Sequence, residues 1–137
     1  METSRTLIIR NDIDELNRMV AFLETLEGEG LLPVALVGPI NLVLEEALSN
    51  VIFYAYETQG NEEIQIDFLF EENQLKITIS DGGKAFDPTL EIDPDISLGV
   101  EDRPIGGLGI YLIRKLMDEV KYARVEEKNV LSLVKRL

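Results

Sequence analysis

The residues best suited to chemistry are an acid and an amide that lie one helical turn apart. Glu46 and Asn50 belong to the stretch LEEALSNVIFYAYE (44–57), in which apolar residues recur at helical spacing. Both side chains are therefore expected on one face of a helix. An amide oxygen can bind a hard cation such as Mg²⁺, and a carboxylate one turn away can orient or deprotonate a nucleophile beside that cation. The pair alone leaves a second interpretation open, in which both residues face solvent and the acid pairs with a lysine.

A second group of candidate residues follows a predicted strand in SDGGKAFDP (80–88). Asp81 lies where the chain leaves the strand, and the glycines after it, Gly82 and Gly83, permit positive φ angles and the close approach of a ligand. The carboxylate can accept a hydrogen bond from an exocyclic amine such as that of adenine, and Phe86 provides an apolar wall. An ordinary strand-ending turn is the alternative, since Asp-Gly is a frequent turn pair.

A third segment, RPIGGLGIYL (103–112), places glycines at the start of a predicted helix. The unpaired N–H groups and the dipole of a helix N-terminus favour anions such as phosphates. Arg103 could add a charge-assisted hydrogen bond to such an anion. The segment is neither a Walker loop nor a dinucleotide fingerprint, because the lysine and the preceding strand are missing. The alternative is that the glycines only allow the chain to enter the helix.

The order of the predicted elements indicates the scaffold that positions these segments. Alternation and helical periodicity predict the order β-α-α-β-β-loop-α-β-β. The predicted bounds are a strand at 5–10, a helix from about 13 to 28, a helix from about 39 or nearer 34 to 57, strands around 64–70 and 75–79, a helix from 107 to about 120 and a hairpin at 120–137. Residues 87–105 have no sustained period and form a long loop, which is usually functional in a compact domain. We therefore expect an α+β fold, a two-layer α/β sandwich with a mixed, mostly antiparallel sheet covered on one face by three helices.

Composition narrows the classes of function. The 137 residues are expected to form a single domain over 1–137, and the formal net charge of −13 argues against nucleic-acid binding. Cysteine and histidine are absent, which excludes disulfides, zinc clusters of those residues, thiol and imidazole catalysis, and phosphorylation on histidine within this chain. The N-terminus has no apolar signal core, and the longest apolar run (31–40) is interrupted by proline and glycine and is too short to span a bilayer. We expect a cytoplasmic protein without a membrane segment.

The three segments, taken in this order, resemble the Bergerat-type ATP-binding fold of histidine kinases, type II topoisomerases and mismatch-repair ATPases. Within that group the chain is most similar to the bacterial anti-sigma-factor serine/threonine kinases, over about residues 7–137. The resemblance implies that Glu46 is the general base and that Asn50 binds Mg²⁺. It also implies an ATP lid at about 88–105 and the following ATP-binding residues: Asn50, Asp81, Gly83, Phe86, Arg103, Gly107, Leu108 and Gly109.

Two positions depart from the pattern of that family. Tyr54 occupies a position that is often histidine, a change that touches neither the metal-binding residue nor the base. Arg103 lies two residues further from the glycines than the phosphate-contacting arginine of the family.

The resemblance implies an ATP-dependent serine/threonine protein kinase that uses ATP and Mg²⁺. Its substrate would be a small anti-sigma-factor antagonist bearing a serine or threonine, in a partner-switching module with a sigma factor as a further partner. The family also implies a homodimer. One alternative is a non-catalytic regulatory module, in which ATP orders the lid and changes which partner is held. Two further hypotheses are a phosphotransfer or ATPase component of a signalling complex, and a structural domain that binds no nucleotide.

Overall fold

The computed structural model of the chain describes residues 2–90 and 107–137. Five strands and three α-helices make up most of the described chain. In chain order they are β1 (Thr3–Arg10), α1 (Leu16–Gly28), α2 (Val34–Asn50), β2 (Glu63–Phe70), β3 (Gln74–Asp81), α3 (Gly107–Leu116), β4 (Glu119–Val125) and β5 (Lys128–Arg136). Short 3₁₀ turns occupy Ile13–Glu15 and Pro88–Leu90, and a π-helical turn at Val51–Ala55 extends α2.

The five strands form one sheet in the order β1-β2-β3-β5-β4. All four strand pairings are antiparallel, whereas the sequence interpretation allowed for a mixed sheet. Two helices lie between β1 and β2, and the chain returns so that these two strands pair antiparallel. The strands β3 and β4 run parallel to each other, but β5 lies between them and they do not pair. The predicted α+β class, with helices layered on an antiparallel sheet, is confirmed.

Strand alternation decides which side chains face the helices. In β2 the residues Ile64, Ile66, Phe68 and Phe70 are buried, and in β3 the residues Leu75, Ile77 and Ile79 are buried, while their neighbours are more exposed. Apolar residues of the three helices join these side chains in one cluster. The same alternation turns two polar residues inward, Asp81 at the end of β3 and Asn129 at the start of β5, and the two are direct cross-strand partners. The fold therefore buries a carboxylate beside an amide at one end of the sheet.

Helix α2 is longer at its N-terminus than the main sequence expectation. It begins at Val34 and continues through Pro39, because a proline in the second turn removes only one intrahelical hydrogen bond near the exposed end. At its other end the helix passes into the π turn, after which Tyr56 has extended backbone angles. Single π turns inside helices occur frequently at functional sites.

The stretch Val34–Ala55 is the one helix in the described part of the chain that is long and apolar enough to cross a membrane by length and composition. The sequence interpretation treated the apolar run at 31–40 as interrupted by proline and glycine, and the continuation of the helix through Pro39 is the reason for the difference. Its buried residues Ile40, Leu44 and Leu48 belong to the core cluster shared with the sheet. Core packing thus accounts for one face of this helix, while Leu42 and Phe53 on the same stretch are exposed. The absence of a membrane segment stays a prediction.

Helix α3 ends at Leu116, short of the predicted bound near 120. The chain joins the sheet early because Asp118 N–H donates to the Val134 carbonyl at 2.8 Å. The Asp118 carboxylate in turn accepts the Arg136 N–H at 2.6 Å, and this hydrogen bond lowers the pKa of Asp118. Pairing with β5 therefore competes successfully with a further helical turn.

Candidate functional site

The first turn of α3 lies directly against the acid and amide of α2. A Cβ atom placed on Gly109 would be 3.0 Å from Glu46 Oε2 and 3.5 Å from Asn50 Nδ2. Buried Ile110 and Ile113 hold α3 in the core cluster. Glycine at position 109 thus allows a helix N-terminus to approach two polar side chains that are only half-buried. Such an N-terminus offers N–H groups and a favourable potential to an anion.

A cleft connects the amide of α2 with the buried end of the sheet. Its polar lining consists of Asn50, Asp81 and Asn129. The remaining lining is mostly apolar and comprises Ala47, Val51, Ile79, Phe86, Pro88, Tyr122 and Leu131. An apolar lining with a few convergent polar groups is typical of small-molecule sites. The cleft encloses about 20 Å³, so its walls must move apart to admit a ligand as large as a purine base.

Asp81 lines this cleft and is 3% exposed. Its Oδ1 atom accepts hydrogen bonds from Gly83 N–H and Asn129 Nδ2, both at 2.9 Å. Among the described residues nothing donates a hydrogen bond to the second oxygen, Oδ2. Burial raises the pKa of the Asp81 carboxyl above its ordinary value, although these two hydrogen bonds and the charge of Arg124 oppose the rise. The site therefore presents one acceptor oxygen to a ligand with an N–H donor.

The turn after Asp81 is fixed by the residues that follow α2. Gly82 N–H donates to the Tyr56 hydroxyl at 3.0 Å, and Lys84 N–H donates to the Ala55 carbonyl at 2.9 Å. Burial and the nearby carboxylate raise the pKa of Tyr56, so the phenol stays protonated near neutral pH. The Ala55 carbonyl, at the end of the π turn, thus has a hydrogen-bond partner in the turn after β3.

Asn129 holds the same turn from the opposite side. Its Nδ2 atom donates to Asp81 Oδ1 and to the Lys84 carbonyl at 2.8 Å. Its Oδ1 atom accepts the Phe86 N–H at 3.1 Å and the Tyr122 hydroxyl. One buried amide therefore links β3, β4, β5 and the turn.

Gly83 packs so closely on the π turn that a side chain cannot be added without movement. A Cβ there would lie 2.5 Å from the Ala55 carbonyl oxygen and 2.8 Å from its Cβ. We expect Gly83→Ala to lower the free energy of unfolding by about 1–3 kcal/mol, the usual effect of overpacking. Urea unfolding measures it, and Gly82→Ala is the matched control, since a Cβ at that exposed position meets nothing within 4 Å. Equal stability of the two variants would contradict the packing argument.

Phe86, which lines the cleft, packs against a second aromatic ring outside it. The rings of Tyr54 and Phe86 stack with centroids 5.5 Å apart and an interplanar angle of 22°. Tyr54 is exposed and Phe86 is half-buried. Phe86 therefore lies where the sequence interpretation expected an apolar wall.

The structure brings together five of the predicted site residues: Glu46, Asn50, Asp81, Phe86 and Gly109. Gly83 lies in the turn after β3 and donates its N–H to Asp81. Gly107 is the first residue of α3. Arg103 and the side chain of Leu108 fall outside the described residues. The predicted lid at 88–105 falls largely outside them as well, apart from the 3₁₀ turn at Pro88–Leu90.

A bound divalent cation would need oxygen ligands from the bound molecule as well as from the protein. Within residues 2–90 and 107–137 no group of three or more acidic side chains could hold a metal ion. The Asn50 amide is a suitable single protein ligand for Mg²⁺, which retains water and binds phosphate oxygens. The donor set fits a metal that arrives with a phosphate ligand.

Sequence reasoning missed Asn129, Tyr56 and Arg124. The sequence does indicate that Asn129 is buried, because it lies two residues before Leu131 and four before Leu133, which occupy the inward positions of the last strand. A polar residue in such a series is expected to be buried and to need a partner. Arg124 donates to the Gly83 carbonyl at 2.8 Å, a contact between segments that no local pattern indicates.

Comparison with known proteins agrees with this geometry. Residues 9–135 match the family model described as "Histidine kinase-like ATPase domain". The chain is 36% identical over 86 residues to the serine-protein kinase RsbW of Listeria monocytogenes serovar 1/2a, which covers 60% of this chain and 55% of that protein. It is 38% identical over 96 residues to the serine-protein kinase RsbW of Bacillus thuringiensis, which covers 67% of this chain and 59% of that protein. The chain thus spans less than two thirds of the length of these relatives. Because the family match extends over most of its length, the chain belongs to the histidine kinase-like ATPase domain family.

Proposed function

We propose that this chain is an ATP-dependent serine/threonine protein kinase of the anti-sigma-factor type. Its substrate is a small anti-sigma-factor antagonist in a partner-switching module. The observation that carries the proposal is the convergence of Glu46, Asn50 and the α3 N-terminus at Gly109, beside a cleft lined by Asp81. The names of the relatives, both serine-protein kinases, support the same activity.

The cleft suits an adenine nucleotide in one orientation. The exocyclic amine of adenine donates to Asp81 Oδ2, and the base lies among the apolar lining with Phe86 on one side. The triphosphate then extends toward the N-terminus of α3, whose N–H groups complement its charge. Asn50 would hold Mg²⁺, and the metal would offset the negative charge of the phosphates. This neutralisation matters in a chain whose formal net charge is −13.

Glu46 is the residue that acts on the nucleophile. A serine or threonine hydroxyl of the antagonist attacks the γ-phosphorus, and its proton passes to the Glu46 carboxylate. A new O–P bond forms, the bond from the γ-phosphorus to the β–γ bridging oxygen breaks, and ADP leaves. Positioning and charge neutralisation supply most of the catalysis in such transfers.

The remaining parts of the proposal rest on the resemblance alone. They are a single domain over 1–137, a homodimer, a cytoplasmic location, and a sigma factor as a further partner. Arg103 and residues 88–105 retain their proposed roles as a phosphate contact and an ATP lid.

The test is transfer of a labelled γ-phosphate to a candidate antagonist, together with the thermal shift that Mg²⁺·ATP produces. A ligand that binds only the folded state raises its stability by about 2.7 kcal/mol at a hundredfold excess over Kd. We expect Mg²⁺·ATP to raise the Tm of the chain. We also expect Asn50→Ala to lose the Mg²⁺-dependent part of that rise, while Ser49→Ala, at the neighbouring half-buried position, keeps it.

The outcomes of this test separate the candidate functions. Phosphate on a serine or threonine of the antagonist supports the kinase. Stable nucleotide binding without transfer to any antagonist would favour the non-catalytic regulatory module instead. A wild-type chain whose Tm does not respond to Mg²⁺·ATP would contradict both.

A further inference from the structure

We propose that Asn129 is a positioning residue that makes the cleft selective for a purine with an exocyclic amine. It acts through Asp81, whose carboxylate it holds with one oxygen turned toward the ligand. This inference rests on the proposed nucleotide site and deepens it, because it concerns which base that site accepts.

Asn129 has no hydrogen-bonding capacity left for a ligand. A carboxamide offers two N–H donors and one oxygen with two lone pairs. Both donors are used, on Asp81 Oδ1 and the Lys84 carbonyl. Both lone pairs are used as well, by the Phe86 N–H and the Tyr122 hydroxyl. Any effect of this residue on the ligand must therefore be transmitted through its neighbours.

Two backbone groups fix which end of the amide faces Asp81. The Lys84 carbonyl can only accept, so it requires Nδ2 on its side. The Phe86 N–H can only donate, so it requires Oδ1 on its side. The donor that remains on Nδ2 then points to Asp81. The orientation of the amide follows from these obligatory partners rather than from a choice of rotamer.

The consequence is an unequal pair of carboxylate oxygens. Oδ1 of Asp81 is occupied by Asn129 and by Gly83 N–H. Oδ2 is left as the acceptor for the cleft. A ligand with an amine at this point gains a charge-assisted hydrogen bond, whereas a ligand with a carbonyl there places oxygen against oxygen. Without Asn129 the carboxylate is held by Gly83 N–H alone and can turn about its χ2 angle. Neither oxygen is then fixed in line with the amine, so ATP loses this hydrogen bond and the preference for the amine falls.

The experiment compares Kd for Mg²⁺·ATP and for Mg²⁺·ITP, whose base carries a carbonyl in place of the amine. Isothermal titration of the full chain measures both. We expect the wild type to prefer ATP by about tenfold or more, the usual effect of one unmatched hydrogen bond. Asn129→Leu, which keeps the branching at Cγ but has no hydrogen-bonding group, is expected to reduce the preference to within about threefold, mainly by weakening ATP binding.

A structural role alone would not change this ratio, because a distorted cleft weakens both nucleotides together. Ser132→Ala, on the opposite face of β5, is the matched control and should keep the wild-type preference. Asn129→Ser is the second variant should the leucine variant not fold, since its hydroxyl is too short to bridge Asp81 and Lys84. We expect the same loss of preference in it.

Two results would overturn the inference. A folded Asn129 variant that keeps the wild-type preference for ATP overturns it alone. A wild-type chain that binds neither nucleotide overturns the proposed function and this inference with it.

Discussion

Replacing Glu46 by glutamine is expected to reduce the rate of phosphate transfer by about 10²–10⁴-fold, the usual contribution of a general base. Glutamine has nearly the same shape but cannot take the proton of the attacking hydroxyl. The carboxylate lies beside Gly109 at the start of α3, where it can reach a nucleophile next to the terminal phosphate. Single-turnover transfer of a labelled γ-phosphate to the antagonist measures the rate.

Measuring Kd for Mg²⁺·ATP in Glu46→Gln shows whether the variant has lost only the general base or has also lost nucleotide binding. We expect Kd to change by less than about threefold in Glu46→Gln, because in the proposed mechanism Glu46 contacts the attacking hydroxyl and not the nucleotide. A large fall in affinity together with the rate would contradict the assignment of Glu46 as a base and would indicate a binding role.

The neighbouring acid provides a matched control. Glu45 is also half-buried on α2, but its carboxylate accepts a hydrogen bond from Asn41 at 3.3 Å, and it lies about 100° around the helix from Glu46. We expect Glu45→Gln to transfer phosphate at the wild-type rate. Equal losses in the two variants would show that the charge of the helix matters rather than one positioned carboxylate.

The parts of the site that depend on local periodicity could be predicted from the sequence. Helical spacing predicts that Glu46 and Asn50 share a face, since residues four apart always do. Strand alternation predicts that Asp81 follows Ile77 and Ile79 to the inward side of its strand. Neither inference requires knowledge of the rest of the fold.

The parts that depend on pairing between distant segments could not be predicted. Asn129 contacts Asp81 across 48 residues of sequence, and only the register of β3 with β5 brings them together. The Ala55 carbonyl contacts the Lys84 N–H because the helix ends in a π turn, for which the sequence carries no recognised signal. The early end of α3 has the same origin, since Asp118 pairs with β5 instead of continuing the helix. In each case tertiary hydrogen bonds override a local preference.

Asp81→Asn is expected to lower the affinity for ATP by about 10²-fold, near the upper end of the cost of leaving polar groups unpaired. The direction follows from the donors that surround the side chain. Gly83 N–H and Asn129 Nδ2 both require an acceptor, so the single oxygen of the new amide must take the place of Oδ1. Its NH₂ group is then turned toward the cleft, where it opposes the amine of adenine.

The same argument predicts a reversed preference for the base. An NH₂ group at this point can donate to the carbonyl of hypoxanthine, so the variant should bind Mg²⁺·ITP more tightly than Mg²⁺·ATP. Titration of wild type and variant with both nucleotides measures the change. A variant that still prefers ATP would show that Asp81 is not the group that contacts the base.

The difference in stability between Asp81→Asn and the wild type should change with pH in a direction set by the raised pKa of Asp81 in the wild type. Because the folded carboxyl holds its proton to higher pH than the unfolded one, the folded state loses stability as pH rises from the unfolded pKa through the folded pKa. The variant has no charge to bury, so we expect it to unfold at a higher temperature than the wild type at neutral pH. The advantage should shrink as pH falls through the folded pKa of Asp81, where the wild type becomes neutral too. Thermal unfolding of both proteins across this range tests the sign, and an advantage that grows on acidification would mean that its partners, rather than burial, dominate the environment of Asp81.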